Sequence, residues 1–371
     1  MIQRLSAFPG MMFFGTVIAL MQKYVFDQKS FLSDPLFQSS FHKPWFQTFV
    51  TYFGMCLALL THEGTRLIKK VPIDTEAVNS KYQPGSNEER HNRWIFYVSA
   101  IMPALCGVLV HAFQNIALIY IPVSVWMAFK SSLNVFYPAF NRIFFKKEQP
   151  NLVWISVLLV VFALIMIGYS TIQTSSLSSS YVYLGLFLVL ISQVIQSMLL
   201  LLETYLFDTI QSTPSLIISM EGFWGLLIVF GIFFPALQGQ VGHQGIGLSE
   251  DLFDTIVLLK NNLDLLSLEI SLLFLYCFSS LSTLTATGPS PELRPIVDVI
   301  QAIGVWVCQL MIRASIKRSN HYSLSIGEEW TSYSFLQLFG EFLLLCAAFT
   351  YMHVLKPNII MEDQSEVEVI A

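Results

Sequence analysis

Long apolar segments separated by shorter polar segments recur along the whole chain, and this alternation is the dominant pattern in the sequence. Most apolar segments are about 20 residues long, the length at which an α-helix crosses a hydrocarbon layer of about 30 Å. They lack the strict alternation over about ten residues that is typical of membrane barrels. The pattern therefore predicts ten membrane-spanning helices, at approximately residues 6–25, 44–63, 94–119, 122–145, 151–172, 181–206, 215–237, 264–286, 289–312 and 331–354.

Composition agrees with a membrane protein. Of the 371 residues, 54% are hydrophobic and only 12% are charged, whereas a soluble domain carries about 25% charged residues. The apolar run that ends near residue 25 has no clear small-residue cleavage site, so we interpret it as an uncleaved first span. The five cysteines lie in apolar segments without metal-ligand spacing, so we expect neither a disulfide nor a metal site. The predicted fold class is an all-α polytopic membrane protein.

The ten spans divide into two similar halves. Residues 1–175 hold five spans, residues 176–355 hold the other five, and residues 356–371 form an acidic tail that we expect to be disordered. The fourth span ends in RIFFKK and the ninth in RASIKR, which places basic residues at corresponding points of the halves. Because five is an odd number, the second half must be inverted in the membrane, an arrangement that is typical of transporters.

The distribution of basic residues predicts the orientation. If the N-terminus is cytosolic, the cytosolic segments hold eleven lysines and arginines and the opposite segments hold six. Positive residues favour the cytosolic side. We therefore expect both termini to be cytosolic.

A polar stripe follows the fourth predicted span. Lys130, Asn134, Tyr137 and Asn141 are spaced at i, i+4, i+7 and i+11, which places them on one face of a continuous helix. A charge at membrane depth costs roughly 2.5 kcal/mol or more, so such residues usually face a bundle interior or a wet cavity. We interpret the stripe as a cavity wall with Lys130 as a substrate or gating charge. A structural ion pair to another helix is the alternative.

The ninth predicted span carries a matching stripe. Arg294, Asp298 and Gln301 occur at i, i+4 and i+7, so Arg294 and Asp298 can also pair within the helix. Asp298 lies near the middle of the span and is the best candidate for a proton-binding carboxylate.

Other polar residues at membrane depth are weaker candidates. Gln196 and Glu203 share a face of the sixth span, and Glu221 lies in the seventh beside Gly222 and Gly225. These glycines allow another helix to approach closely, so Glu221 is either an interhelical anchor or a cavity residue. The remaining candidates are Gln114 in the third span and Lys23 at the end of the first.

The sequence lacks the motifs of several other functional classes. It contains no Walker loop, no HExxH, no GxSxG and no zinc spacing, so an ATP-driven pump and an ordinary membrane hydrolase are excluded. It has no basic patch for nucleic acid. We expect no enzymatic activity and no cofactor.

Four stretches resemble the drug/metabolite transporter superfamily, in particular the solute carrier family 35 proteins that are similar to nucleotide-sugar transporters. They are FGTVIALMQKYVF, IALIYIPVSVWMAFKSSLNVFYPAF, LLLLETYLFDTIQSTPSLIISMEGFWG and ELRPIVDVIQAIGVW. The F subfamily is the most similar branch, with chloroquine-resistance-transporter-like proteins as relatives. The sequence departs from the family at ETYL, where two glutamates and a lysine are usual, and at Pro295 beside Arg294.

The resemblance implies an EamA-like fold of two inverted five-helix repeats, alternating access and an endomembrane location such as the Golgi, endoplasmic reticulum, endosome or lysosome. It does not imply a substrate. We therefore expect a secondary transporter of a small polar metabolite, with a non-transporting membrane scaffold or binding protein as the alternative. The expected partners are a small-molecule substrate, the lipid bilayer and a coupled proton, with a homodimer left open.

Overall fold

A computed structural model describes residues 2–31, 38–69, 99–146, 148–175, 177–210, 214–238, 250–287, 294–318 and 327–370 of the chain. The described residues are almost entirely helical. In the N-terminal part of the chain the elements are α1 (Ile2–Asp27), β1 (Lys29–Phe31), β2 (Gln38–Ser40), α2 (Pro44–Lys69), α3 (Ile101–Tyr120), α4 (Val123–Lys130), α5 (Leu133–Phe145) and α6 (Asn151–Thr174). They are followed by α7 (Ser179–Ile210), α8 (Pro214–Ile228), a π-helical turn (Val229–Phe233), α9 (Phe234–Gln238), α10 (Leu252–Asn261), α11 (Leu263–Thr287), α12 (Arg294–Arg318) and α13 (Ser334–Ile370).

Seven helical segments of the described residues are long and apolar enough to cross a membrane, as expected for a multi-pass integral membrane protein. They lie in α3, α6, α7, α11, α12 and α13 and in the stretch from α8 to α9. The helices α1 and α2 have 26 residues each but are not among the seven. On α6, the side chains of Leu158, Phe162 and Ile165 are about 60% exposed, as befits a lipid-facing surface.

The predicted fourth span is interrupted. The helix α4 ends at Lys130, and α5 begins at Leu133. Around Ser131 and Ser132 the backbone N–H groups donate to carbonyls three residues earlier, as Ser131 N does to Ala128 O at 3.0 Å and Ser132 N to Phe129 O at 3.0 Å. This is a 3₁₀ turn, which advances about 120° per residue instead of about 100°. Compared with a continuous α-helix, the two residues of this turn rotate Lys130 by roughly 40° relative to Asn134, Tyr137 and Asn141.

The chain forms two compact units, and each takes helices from both halves of the sequence. Unit 1 comprises Met1–Ile119 and Met198–Pro291, and unit 2 comprises Tyr120–Ser197 and Glu292–Ala371. The polar segment between the second and third predicted spans lies mostly outside the described residues, as does the sequence GPSPE at 288–292. The helix α13 continues through the acidic segment from residue 356 that the sequence predicts as a tail.

In unit 1, α2 is the central helix, because it packs against α8 and α11, while α1 packs on α11. The helices α2 and α11 meet at Gly54, where an added Cβ would lie 2.7 Å from the carbonyl oxygen of Leu273. The helices α2 and α8 meet at Gly222, where a Cβ would lie 2.8 Å from the backbone nitrogen of Cys56. The absence of side chains at these points lets the backbones approach.

In unit 2, α13 packs along α6, and α12 packs on α4. Gly340 of α13 rests on Ile167 of α6, and the Ser156 hydroxyl of α6 donates to the Ala347 carbonyl of α13 at 2.8 Å. The packing of α12 on α4 brings Lys130, at the end of α4, towards Asp298 on α12.

Candidate functional site

The charged residues Lys130, Arg294 and Asp298 come together in unit 2. Lys130 is the last residue of α4, and its charge interacts with the Asp298 carboxylate on α12 and with Arg294 at the start of the same helix. Asp298 is buried and Lys130 is half-buried. The Lys130 ammonium also lies 4.8 Å from the centre of the Trp126 ring, one turn earlier on α4. A cation–π contact of this kind holds the side chain in a low-dielectric site without neutralising it.

The other predicted residues of unit 2 are buried. Asn134, Tyr137 and Asn141 lie on one face of α5, where their spacing of three and four residues is retained. Gln301 is buried on α12, one turn beyond Asp298.

The 3₁₀ turn carries two further polar groups. The hydroxyls of Ser131 and Ser132 are buried and have no hydrogen-bond partner among the described residues, and the same is true of the Gln196 amide nitrogen on α7. Buried polar groups are normally hydrogen-bonded. This turn therefore has unused hydrogen-bonding capacity directly beside Lys130.

A third polar group of unit 2 was not predicted from the sequence. The Ser124 hydroxyl at the start of α4 donates to Glu328 and accepts a hydrogen bond from the Gln337 amide at 3.2 Å. One turn from Gln337 on α13, Glu341 is 2% exposed, and neither of its carboxyl oxygens has a hydrogen-bond partner within the described ranges. The sequence shows Glu341 as an isolated acid without a matching partner, which gave no basis for assigning it.

The predicted residue Lys23 has a structural role in unit 1. Its ammonium donates to the Leu118 carbonyl at 2.9 Å and lies 3.6 Å from the Asp27 carboxylate. Leu118 contributes one of the last four carbonyls of α3, which have no partner within their own helix. A cation is favourable at this end of the helix dipole. Lys23 therefore ties α1 to the end of α3.

A hydrogen-bonded network continues from that point. The Gln22 amide donates to Asn115 on α3, and the Asn115 amide donates to the Thr48 hydroxyl at 3.0 Å and the Pro44 carbonyl at 3.2 Å. The neighbouring candidate Gln114 is also buried. These hydrogen bonds join α1, α2 and α3. The pattern of apolar residues in the sequence does not predict that their side chains meet.

Tyr52 of α2 interacts with two glutamates, Glu203 and Glu221. Both carboxylates interact electrostatically with the Tyr52 hydroxyl, and Glu221 is buried. The Tyr52 ring lies against Gly225 of α8, where any Cβ would overlap it. The interpretation that Gly222 and Gly225 permit a close helix approach is confirmed. Tyr52 itself was missed, because nothing in its local sequence distinguishes it from a core aromatic residue.

A buried acidic pair in unit 1 was also missed. Glu250 accepts hydrogen bonds from the backbone N–H groups of Trp45 at 2.8 Å and Phe46 at 3.0 Å, so it caps the N-terminus of α2. Burial raises the pKa of Glu250 to about 7, although Lys43 and these hydrogen bonds oppose the rise. Glu269, in the apolar run LDLLSLEISLL, accepts a hydrogen bond from Gln47. Asp298 was selected because a charge at membrane depth is costly and usually serves a function, and the same argument applies to Glu269.

No family model matches the sequence. An uncharacterized protein of Schizosaccharomyces pombe is 25% identical over 281 residues, which cover 74% of this chain and 79% of that protein. The chain is therefore similar to a fungal protein over most of its length, and that protein has no described activity to compare.

Proposed function

We propose that the chain is a secondary transporter that moves a small polar metabolite by alternating access through a central cavity bordered by α4 and α12. The observation that carries the proposal is the group of Lys130, Arg294 and Asp298, which are charged residues on membrane helices at the point where α4 ends. Charges in such positions usually serve substrate or ion pathways. The adjoining 3₁₀ turn adds hydrogen-bonding groups that a polar substrate can use.

The packing of the helices supports the inverted-repeat arrangement within this proposal. The pairs α2 with α8, α4 with α12 and α6 with α13 pack together. In the ten-span numbering these are spans two with seven, four with nine and five with ten. An inverted repeat of five spans relates each of these pairs by its pseudo-two-fold axis. We further propose an endomembrane location with both termini in the cytosol, as the resemblance and the basic residues suggest.

The charges limit the class of substrate. Two cations and one carboxylate suit a zwitterion, a cation that pairs with Asp298, or an anion that moves together with protons. A pocket dedicated to phosphate would be more uniformly basic. Within this proposal Asp298 and Glu221 are the candidates for proton coupling.

Reconstitution into liposomes tests the proposal. The purified protein is assayed for uptake and counterflow of amino acids, amines, carboxylates, nucleotides and nucleotide sugars, with and without an imposed pH gradient. We expect at least one class to enter above the level of empty liposomes. Lys130→Met and Asp298→Asn should each lower that flux roughly tenfold to a hundredfold, the effect of losing one hydrogen bond to a charged group.

Lys260→Met, which changes an exposed lysine on α10, is the matched control and should keep wild-type flux. The transporter proposal fails if the folded wild-type protein moves no compound in the panel. It also fails if Lys130→Met retains flux equal to that of Lys260→Met. A scaffold with internal ion pairs would instead show no flux and a lower melting temperature in the Lys130→Met variant. Uptake that does not respond to the pH gradient would exclude proton coupling.

A further inference from the structure

A buried amide and a buried carboxyl group meet where α2 begins in unit 1. Gln47 lies in the first turn of α2, and Glu269 lies two turns into α11. The Gln47 side chain is completely buried and Glu269 is 4% exposed. The Gln47 amide nitrogen donates a hydrogen bond to Oε1 of Glu269. One direct hydrogen bond between the side chains of Gln47 and Glu269 therefore links α2 to α11.

The other two oxygens of the pair lack partners. Neither Oε1 of Gln47 nor Oε2 of Glu269 makes a hydrogen bond within the part of the chain that the structure describes. Both atoms are acceptors when the carboxyl group is ionised, so they cannot bond to each other. One proton on Oε2 of Glu269 changes this, because the resulting O–H can donate to the Gln47 carbonyl. The amide and the acid then form a ring closed by two hydrogen bonds.

The surroundings also favour a single proton. Glu250 is buried nearby and interacts electrostatically with Glu269. Two carboxylates in one buried site repel each other. Glu250 and Glu269 together therefore favour one bound proton over two full charges. The other titratable groups that face the pair are Lys43, which interacts with Glu250, and Tyr276, which interacts with Glu269 and shares a hydrogen bond with Thr51.

We propose that Glu269 binds a proton on Oε2 and shares it with the amide oxygen of Gln47, so that the start of α2 is a proton-binding site separate from Lys130 and Asp298. The proton comes from water, and no other bond forms or breaks. The site does not depend on the transport proposal. In a transporter it would supply a coupling or regulatory proton, because it joins α2 to α11 and lies beside the Glu250 cap of the same helix.

Infrared spectroscopy of the purified full-length protein tests the site directly. A protonated carboxylic acid gives a carbonyl stretching band that a carboxylate lacks and that shifts in heavy water. At neutral pH, subtracting the Glu269→Gln spectrum from the wild-type spectrum should leave one such band. Asp264→Asn, which removes an exposed acid from the same helix, should leave no such band. The measurements are repeated in a Glu341→Gln background, because Glu341 is a second buried acid.

Thermal unfolding separates the proton site from ordinary packing. Glu269→Gln carries an amide that can donate to Gln47, so it imitates the protonated pair and should melt at the wild-type temperature. Glu269→Leu leaves Gln47 without a partner and should melt at a lower temperature. The proposal is overturned if the difference spectrum lacks the acid band. It is also overturned if Glu269→Gln and Glu269→Leu are equally destabilised, since the pair would then require the ionised carboxylate.

Discussion

The carboxyl group of Glu250 should make the stability of this protein depend on pH. Its ordinary pKa is 4.5 and burial raises it to about 7. Between these values the folded protein binds a proton that the unfolded chain releases. The contribution of Glu250 to stability is therefore greatest below pH 4.5, falls as the pH rises towards 7, and is constant above that. A tenfold difference in proton affinity is worth about 1.4 kcal/mol, so the total loss is roughly 3 kcal/mol.

Replacing Glu250 by Gln should remove this dependence. The two carboxylate oxygens accept separately from the N–H groups of Trp45 and Phe46, so the single amide oxygen of Gln keeps one of these hydrogen bonds and its NH2 group faces the other N–H. The side chain no longer titrates. Near pH 4.5 we expect the variant to be less stable than the wild type by roughly 1–3 kcal/mol, because one N–H loses its acceptor. Between pH 4.5 and 8 the variant should keep its stability while the wild type loses roughly 3 kcal/mol through Glu250. The assay is the free energy of unfolding in mixed micelles, titrated with a denaturing detergent at each pH.

The control is Asp264→Asn, because Asp264 is an exposed acid in the first turn of α11. This variant should keep the wild-type slope. The comparison is repeated in a background that carries both Glu269→Gln and Glu341→Gln, so that these two buried acids do not contribute to the slope assigned to Glu250. The reasoning is refuted if the stability of the wild type rises between pH 4.5 and 7, or if Glu250→Gln retains the same slope.

Two glycines give further predictions. Gly222→Ala should lower the free energy of unfolding by roughly 1–3 kcal/mol, because its Cβ would meet the α2 backbone at Cys56 and Met55. Gly231→Ala is the matched control and should melt like the wild type, because no atom lies within 4 Å of its Cβ; equal melting of both variants would contradict the packing of α8 on α2. Gly327 has φ +88°, and a Cβ there would lie 2.7 Å from the Gln309 carbonyl, so Gly327→Ala should cost roughly 1–2 kcal/mol from the backbone conformation alone. In Gly327→Asn the side chain tolerates the positive φ better than Ala does, but its Cβ still collides with the Gln309 carbonyl of α12. A wild-type melting temperature for Gly327→Asn would show that this collision is unimportant.

The sequence predicts local features of this fold better than distant ones. Hydropathy indicates membrane helices because that signal is contained within each segment. Gly222 indicates a close approach between helices because it has no side chain. The 3₁₀ turn at Ser131 and Ser132 leaves no mark in hydropathy, since two serines are compatible with a continuous helix. Its effect is a rotation of Lys130 by roughly 40° relative to Asn134, compared with a continuous helix.

The polar contacts were least predictable where the partners are far apart in the chain. The N-terminus of α2 has no capping side chain in its own sequence, which reads Lys43 then Pro44, because its cap is Glu250. Glu269 and Gln47 are separated by 222 residues. Depth in the membrane identifies Glu269 as unusual, but only the packing of α11 on α2 reveals its partner.

The interleaved composition of the two units has a consequence for biosynthesis. The cap of α2 is contributed by Glu250, which follows Trp45 by 205 residues. At a synthesis rate of about 5–20 residues per second, roughly 10–40 s pass between these residues. For most of that interval α2 lacks α8, which begins at Pro214, and for all of it α2 lacks α11, which begins at Leu263. The polar side chains of α2 are therefore in the membrane without these partners. We expect the nascent chain to depend most on chaperones of the insertion machinery before α11 emerges, and slower translation would lengthen that exposure.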